Sequence, residues 1–423
     1  MRVTLPIWVV VLVAIIMVVL VLMVWSLKRR KRPHIKLEEG DDASDLFLSI
    51  AGLTQSTLVE GNAIRLLENG TFFDELFADI EGAKESIHIE SFLSKEGELT
   101  RRLTELLIQK RREGVHVRLL LDGSGGKEFG KDAIKRLGES KCTVAHYHPM
   151  TWRNLGRLNN RTHRKIGVID GRIGYVGGHC FVDTWMGNAE DKKHFRDITA
   201  RVEGPAVAQL QSAFSDNWVE ECGEVFGGEV YFPELQRCGD MQAHVVFVSP
   251  TGAPSTMKIL YYMAIRAAKK SITIQNPYFL PDPDAREALA EAVKRGVKVR
   301  VMIPSETASD SPLVQHASHH HFGTLLKVGV EMYEYQKTLL HQKVITIDSC
   351  WSAVGSTNFD DRSLEINDEV AIVIFGEEMA SQLELIFERD KKHADKREFE
   401  QWKHRPALHK LRDFSSFLLN EQL

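Results

Sequence analysis

Cysteine is scarce in this chain, and its placement excludes two classes of architecture. The 423 residues include five cysteines, and none has C-x-x-C spacing. They are Cys142, Cys180, Cys222, Cys238 and Cys350. An odd number without paired spacing indicates neither a disulfide framework nor a cysteine-rich zinc site. Scattered thiols are typical of a reducing compartment.

The chain also lacks an excess of positive charge. Its formal net charge is −4, with 26% charged and 43% hydrophobic residues. This is a globular composition without the chain-wide basic field that nucleic-acid-binding proteins carry. We therefore expect no nucleic-acid partner, and an anionic substrate has to be held by a local basic site. The length allows two ordinary domains.

Charged residues are absent from Val3 to Leu27. As a helix, this apolar run is long enough to cross a hydrocarbon core of roughly 30 Å. Five consecutive basic residues follow at 28–32, with only Arg2 before the run and no A-x-A-like cleavage site after it. This pattern favours a retained single-pass anchor over a signal peptide and places the rest of the chain in the cytoplasm, at the inner membrane. Residues 28–45 form a basic and polar linker.

Beyond the linker, the order of predicted elements repeats. Ala83–Glu90 and Gly114–Asp122 match Ala268–Gln275 and Gly296–Ile303. Strands that alternate with helices indicate βαβ units. We predict an α/β protein.

The predicted arrangement has two similar halves related by a pseudo-twofold axis. Each is an αβα sandwich with a mixed, largely parallel sheet, the first at 46–244 and the second at 245–390. Residues 391–423 form a basic amphipathic tail that either lies on the membrane or docks against the second half.

The most informative feature is a duplicated H-x-K-x4-D motif, each copy followed by two small residues. The copies contain His163, Lys165 and Asp170, then Gly177–Gly178, and His341, Lys343 and Asp348, then Gly355–Ser356. Alternate residues of a strand share a face, so packing of the halves brings two imidazoles and two ammonium groups to one cleft. Such a set suits phosphoryl transfer, with one imidazole as nucleophile and the other as general acid.

The remaining motif residues have predicted supporting roles. Asp170 and Asp348 lie at i+7 from their histidines, on the other strand face, which favours structural ion pairs. In a single copy of the motif, the histidine is more often a hydrogen-bonded, partly buried residue than a catalytic one. The duplication of the motif favours a catalytic role.

Both histidines need an acceptor for one ring nitrogen, and the candidates are Asp197 and Glu369. Gly178 lets the backbone approach a phosphate closely, and Ser356 and Asn358 are candidate donors to it. The first copy has Cys180 where the second has Asn358.

At these residues the chain resembles the phospholipase D superfamily, whose signature is this duplicated motif. Asn160–Lys165, His194–Asp197 and Gly355–Glu369 resemble the cardiolipin synthase branch, and the similarity extends from about Ile64 to Trp402. The resemblance implies one active site, a covalent phosphatidyl-histidine and no metal or cofactor. It also implies transfer from one phosphatidylglycerol to another with release of glycerol.

Role assignments and competing functions stay open at the sequence level. The resemblance implies His163 as nucleophile and His341 as general acid, but the residues alone allow the reverse. Alternatives are phospholipid hydrolysis, phosphatidylserine synthesis, nuclease activity and non-catalytic lipid binding. Acceptor choice depends on pocket shape and water exclusion, which sequence does not give. Expected partners are an anionic phospholipid and the membrane, and homo-oligomer formation is left open.

Three further groups of residues have two interpretations each. The cluster His316, His319, His320 and His321 lacks a carboxylate at matching spacing, so we predict a solvated helix face or cleft wall, not a metal site. Arg153, Arg157, Arg161 and Arg164 either steer anionic lipid or are ordinary surface charge. Tyr278 and Phe279 either line a substrate path or pack in the core.

Overall fold

The computed structural model describes residues 6–27, 47–149, 151, 160–249 and 255–417. The predicted linker, Arg153 and Arg157 lie outside these ranges. The helices are α1 (Ile7–Leu27), α2 (Phe47–Leu53), α3 (Thr71–Gly82), α4 (Glu98–Arg112), α5 (Lys131–Glu139), α6 (Val207–Cys222), α7 (Thr256–Ala267), α8 (Pro283–Lys294), α9 (Pro312–Val328), α10 (Asp361–Glu365), α11 (Glu377–Lys391), α12 (Phe399–Lys403) and α13 (Ala407–Phe417).

Fifteen strands accompany these helices in the described residues. They are β1 (Val59–Glu68), β2 (Ser86–Ser91), β3 (His116–Asp122), β4 (Thr143–Tyr147), β5 (Ile166–Ile169), β6 (Ile173–Gly177), β7 (Ile198–Glu203), β8 (Met241–Val248), β9 (Ser271–Gln275), β10 (Lys298–Pro304), β11 (Glu331–Tyr335), β12 (Val344–Ile347), β13 (Trp351–Gly355), β14 (Glu369–Phe375) and β15 (Ala394–Arg397).

The N-terminal helix α1 covers most of the predicted anchor, with side chains described for 7–9 and 11–19. Over the described part of the chain, the structure contains no helix long and apolar enough to cross a membrane. The anchor stays a prediction.

All fifteen strands belong to one continuous sheet, with the order β15-β11-β10-β9-β12-β13-β14-β8-β1-β7-β6-β5-β2-β3-β4. The antiparallel pair β1–β8 joins the two halves. Outward from this junction, the first half runs β1-β7-β6-β5-β2-β3-β4 and the second runs β8-β14-β13-β12-β9-β10-β11. The two orders correspond strand for strand, as expected of a duplicated unit.

The prediction of largely parallel sheets is wrong. Parallel pairing is confined to β2–β3–β4 and β9–β10–β11. The strands that follow each motif instead form antiparallel hairpins, β5–β6 and β12–β13. Their turns contain Asp170 and Gly171, and Asp348 and Ser349, all with positive φ. The hairpins replace the helical crossovers that parallel pairing requires.

The halves also share a hydrophobic core. Val168 and Val202 from the first half belong to the same buried cluster as Val344, Ile372 and Leu383 from the second. Every residue of β14 is buried, because helices cover this central part of the sheet. The shared sheet and core fix the motifs of the two halves relative to each other.

The C-terminal tail packs against the second half in its described part. The rings of His320 in α9 and Phe417 in α13 stack with centroids 4.5 Å apart. Leu408 and Leu411, on another face of α13, are 73% and 63% exposed. One face of α13 thus docks against the second half, as one of the two alternatives predicted. A second, apolar face of α13 is open to solvent.

Candidate active site

The two motifs lie where the halves meet. His163 and Lys165 directly precede β5, and His341 and Lys343 directly precede β12. The backbone N–H of His163 donates to the carbonyl of Asp368 (2.9 Å), and that of His341 donates to the carbonyl of Arg196 (2.7 Å). Each motif is therefore bonded to the segment of the opposite half that carries an acceptor candidate.

The histidine–acceptor pairs are crossed between the halves. Nδ1 of His163 lies 2.8 Å from Oε1 of Glu369, and Nδ1 of His341 lies 2.8 Å from Oδ2 of Asp197. Both carboxyl groups are fully buried, whereas the histidines keep 6% and 7% exposure. Because a carboxyl group occupies Nδ1 of each ring, we assign the chemistry to Nε2, which in His341 also lies 3.0 Å from Nζ of Lys343. Sequence identified the acceptors but not the crossing.

Both lysines act on the same site. Nζ of Lys165 donates to the carbonyl of His163 (2.7 Å), and Nζ of Lys343 lies 3.0 Å from both ring nitrogens of His341. Burial lowers the pKa of His163 well below its usual value, and the charges of Lys165 and Lys343 lower it further. Burial, Lys343 and Lys165 together lower the pKa of His341 to about 4. Each lysine thus influences the histidine of the other motif.

The pKa values of the two acceptors are shifted in opposite directions. Burial raises the pKa of Glu369 to about 7, although Lys165 opposes the shift. Burial also acts to raise the pKa of Asp197, but His341, His179 and Lys343 outweigh it and the pKa falls below its usual value. Asp197 is therefore the firmly ionised acceptor. An ionised acceptor stabilises imidazolium, so His341 is the better proton carrier.

The small residues after each motif contact the carboxyl groups that accept from the histidines. Oγ of Ser356 donates to Oε2 of Glu369 and accepts from the backbone N–H of Val370 (3.0 Å). A Cβ on Gly178 would lie 2.3 Å from Oδ1 of Asp197. Ser356, predicted as a phosphate donor, thus has its hydroxyl bonded to a carboxyl group, and Gly178 makes room for one.

Trp185 completes the first-half acceptor and was not identified from the sequence. Its Nε1 donates to Oδ2 of Asp197 (2.8 Å), and its ring meets that of His341 edge-on at 5.0 Å. Phe92 has a similar position against His163, with centroids 4.9 Å apart. No spacing rule connects these aromatic residues to the motifs.

A cleft of about 140 Å³ opens at His163. Its lining includes Phe92, Tyr278, Leu280, Val314, Asn358 and Arg362. The side-chain oxygen of Asn358 is buried without a hydrogen-bond partner. Phe279, in contrast, is fully buried against Phe359. Of the two predicted aromatic residues, Tyr278 lines the cleft and Phe279 belongs to the core.

The motif aspartates lie away from the histidines. The carboxylate of Asp170 accepts the backbone N–H groups of residues 84–86 at 2.7–3.1 Å. That of Asp348 accepts those of residues 269–271 at 2.7–2.8 Å. Each aspartate holds the start of the strand next to its motif strand. We predicted structural ion pairs for these two aspartates; the partners that the structure shows are backbone amides.

Two sets of surface predictions need correction. Arg164 is fully buried, and its Nη2 donates to Oδ2 of Asp216 (2.9 Å), so it is not a steering charge. His316 and His319 are buried rather than on a solvated face. Helix α13 covers this side of α9 and supplies the carboxylate of Asp413, which is distant in sequence.

Comparisons with known proteins find similar proteins over most of the chain. The family model described as "Cardiolipin synthase, PLD-like domain" matches residues 76–218 and 261–391. The cardiolipin synthase of Alkalihalophilus pseudofirmus is 34% identical over 344 residues, 81% of this chain and 68% of that protein. The major cardiolipin synthase ClsA of Bacillus subtilis is 33% identical over 383 residues, 90% and 79% of the two chains.

A solved structure shows the same fold. The phosphatidylserine synthase of Haemophilus influenzae Rd KW20 superposes with a TM-score of 0.69, covering 88% of this chain and 98% of its own. At 13% identity, this similarity concerns the fold alone.

Proposed function

The chain belongs to the cardiolipin synthase family with phospholipase D-like domains, and from this premise we propose that it transfers a phosphatidyl group between two phosphatidylglycerol molecules through His163. Relatives over most of the chain support cardiolipin synthase activity. The observation that carries the mechanism is the crossed pairing of two histidines with two buried carboxyl groups.

In the first step, Nε2 of His163 attacks the phosphorus of one phosphatidylglycerol. The bond from phosphorus to the headgroup glycerol oxygen breaks, and protonated His341 gives its Nε2 proton to that oxygen. Free glycerol leaves, and the phosphatidyl group stays on His163. Asp197 stabilises the imidazolium form of His341 that this step requires.

In the second step, the headgroup hydroxyl of another phosphatidylglycerol attacks the same phosphorus. His341, now neutral, takes the hydroxyl proton, and the bond from phosphorus to Nε2 of His163 breaks. The products are cardiolipin and the free enzyme, with His341 protonated again. One histidine therefore carries the phosphatidyl group and the other carries the proton.

The lysines and the entry of the anionic lipid explain how His341 becomes protonated. Its pKa of about 4 in the free protein reflects burial and the charge of Lys343. A phosphodiester bound between Lys165 and Lys343 offsets the lysine charges, which raises the tendency of His341 to hold a proton. Asn358 lines the cleft, and its unpartnered Oδ1 can accept a hydrogen bond from a glycerol hydroxyl group.

The membrane is the proposed location of the reaction. Residues 3–27 carry no charge and a basic run follows them, which supports an N-terminal anchor with the catalytic halves on the cytoplasmic side of the inner membrane. A cysteine placed at position 2 and one placed in the linker should differ in labelling by an impermeant thiol reagent in intact cells. Equal labelling would contradict the single-pass topology.

The reaction is tested by incubating the purified chain with phosphatidylglycerol. We expect cardiolipin and glycerol in equal amounts, with little phosphatidic acid. Phosphatidic acid without cardiolipin would instead establish a hydrolase, and a requirement for CDP-diacylglycerol and serine would establish a phosphatidylserine synthase.

A further inference from the structure

Helices α9 and α13 bring together three potential metal ligands outside the active site. His316 and His319 lie one turn apart on α9, and Asp413 lies on α13. One ring nitrogen of each histidine and one carboxylate oxygen lie within 4.8 Å of one another. All three residues are buried, with Asp413 only 1% exposed. We propose that His316, His319 and Asp413 bind one divalent transition-metal ion, best suited to zinc, which fastens α13 to α9.

Unsatisfied polar atoms point to a ligand between the helices. Nδ1 of His316 and Oδ1 of Asp413 are both buried without a hydrogen-bond partner. They lie 3.8 Å apart, too far for a hydrogen bond. A tetrahedral zinc ion holds its nitrogen and oxygen ligands at about 2.0–2.2 Å, so its ligand atoms lie roughly 3.3–3.5 Å apart. A closure of about 0.5 Å would satisfy both atoms through one ion.

Carboxylates lie behind both histidines. Nε2 of His319 lies 2.7 Å from Oε1 of Glu334, and Nε2 of His316 lies 3.7 Å from Oε1 of Glu306. Metal-binding histidines usually have a carboxylate at the nitrogen that does not bind the ion, which fixes the ring. In this arrangement Nδ1 of each ring is the ligand atom. A cavity of about 540 Å³ adjoins His319 and Asp413 and leaves room for a water ligand.

Neighbouring arginines decide which ions fit. Nη2 of Arg405 lies 3.2 Å from Oδ2 of Asp413, so it uses the oxygen that the ion does not need. Nε of Arg412 lies 3.9 Å from Oδ1, but its guanidinium is bonded to both oxygens of Glu306. These positive charges disfavour a cation that binds through charge alone, such as Mg²⁺ or Ca²⁺. An ion with strong affinity for imidazole, such as zinc, can still bind.

The site lies beside the wall of the catalytic cleft. Val314, two residues before His316 on α9, lines that cleft. An ion at His316 would therefore restrain the helix that contributes Val314 to this wall. The ion is outside the reacting groups, so the inference does not depend on the proposed function.

The test uses the full-length chain without a histidine tag, stripped with chelator and dialysed. Titration with zinc chloride should show one saturable site per chain and raise Tm. His316→Ala and Asp413→Asn should each weaken binding at least tenfold and remove the zinc-dependent rise in Tm. His409→Ala is the matched control, because His409 lines the same cavity outside the trio, and it should bind zinc as the unsubstituted chain does.

Asp413→Asn preserves side-chain size, so it decides the question if His316→Ala fails to fold. Absence of saturable zinc binding by the unsubstituted chain would overturn the proposal. So would zinc binding that both variants retain, or a loss that His409→Ala shares.

Discussion

His163 and Glu369 belong to opposite halves of the chain, and Nδ1 of the imidazole lies 2.8 Å from Oε1 of the carboxyl group. His341 and Asp197 form the reciprocal pair. Each half therefore supplies one imidazole and the acceptor for the other imidazole. Neither half contains a complete pair, so duplication alone does not make two active sites. The site exists only where the halves meet.

The roles of the two histidines can be separated with an activated substrate. A phosphatidyl ester of p-nitrophenol has a leaving group that needs no proton. We expect His341→Ala to release about one p-nitrophenol per chain, because the nucleophile is intact, and His163→Ala to release none. With phosphatidylglycerol, both variants should lose activity by at least about 10³-fold.

The burst measurement can also contradict the assigned roles of the two histidines. A stoichiometric burst from His163→Ala, with none from His341→Ala, would exchange the two roles. Near-normal cardiolipin synthesis by either variant would exclude the mechanism. Circular dichroism of both variants checks that the fold is preserved.

Replacing the acceptors should affect different steps. Glu369→Gln weakens the hold on His163 and should reduce the p-nitrophenol burst rate. Asp197→Asn removes the anion that stabilises protonated His341, so it should reduce turnover of phosphatidylglycerol by about 10²–10⁴-fold while sparing the burst. Stopped-flow absorbance and product analysis measure the two effects. Equal loss of the burst in both variants would contradict the assignment of separate roles.

Gly178 should not tolerate a side chain. A Cβ at this position would lie 2.3 Å from Oδ1 of Asp197, so Gly178→Ala should displace the carboxylate and reduce turnover as Asp197→Asn does. Gly227→Ala is a control for the general cost of replacing a glycine, because no atom lies within 4 Å of a Cβ there and its backbone is outside the left-handed region. Turnover by Gly178→Ala equal to that of Gly227→Ala would contradict this account.

The motif pattern predicted much of the site because its residues are close in sequence and duplicated. The same pattern also named Asp197 and Glu369, since a catalytic imidazole needs an acceptor. It did not indicate that the pairs cross, because crossing depends on how β1 and β8 join the halves into one sheet. Trp185 was missed for a similar reason: its contact with Asp197 comes from a short 3-10 helix, Asp183–Trp185, that no periodicity in the sequence indicates.

Errors in the fold prediction have a local cause. The apolar strands β5 and β12 match the pattern of buried parallel strands, but the turns at Asp170 and Asp348 reverse the chain at once. The prediction of a solvated face for His316 and His319 was wrong because α13, which covers them, comes from a distant segment of the chain. Spacing within one segment cannot reveal contacts with a distant one.

The motif aspartates should matter for stability more than for chemistry. Asp170→Asn leaves an amide with one accepting oxygen where the carboxylate accepts three backbone N–H groups. We expect a loss of about 1–3 kcal/mol in the free energy of unfolding, with kcat of the folded fraction within about threefold of the original. Denaturant titration and kinetics measure the two quantities. Asp348→Asn should behave alike, and a 10³-fold loss of kcat at unchanged stability would indicate a direct catalytic role instead.

Anion binding should weaken as pH rises through about 7, and sulfate, which keeps its charge over this range, is a suitable inhibitor to test it. Burial lowers the pKa of Lys343 to about 7, so the ammonium loses its proton there. Burial raises the pKa of Glu369 to about 7, so the carboxyl group gains negative charge over the same interval. Both changes act in one direction, and the inhibition constant should increase up to about tenfold per pH unit for each proton lost. In Glu369→Gln the lysine still titrates, so the dependence should become shallower without disappearing. An inhibition constant that stays flat from pH 6 to 8.5 would mean that neither group titrates near the bound anion.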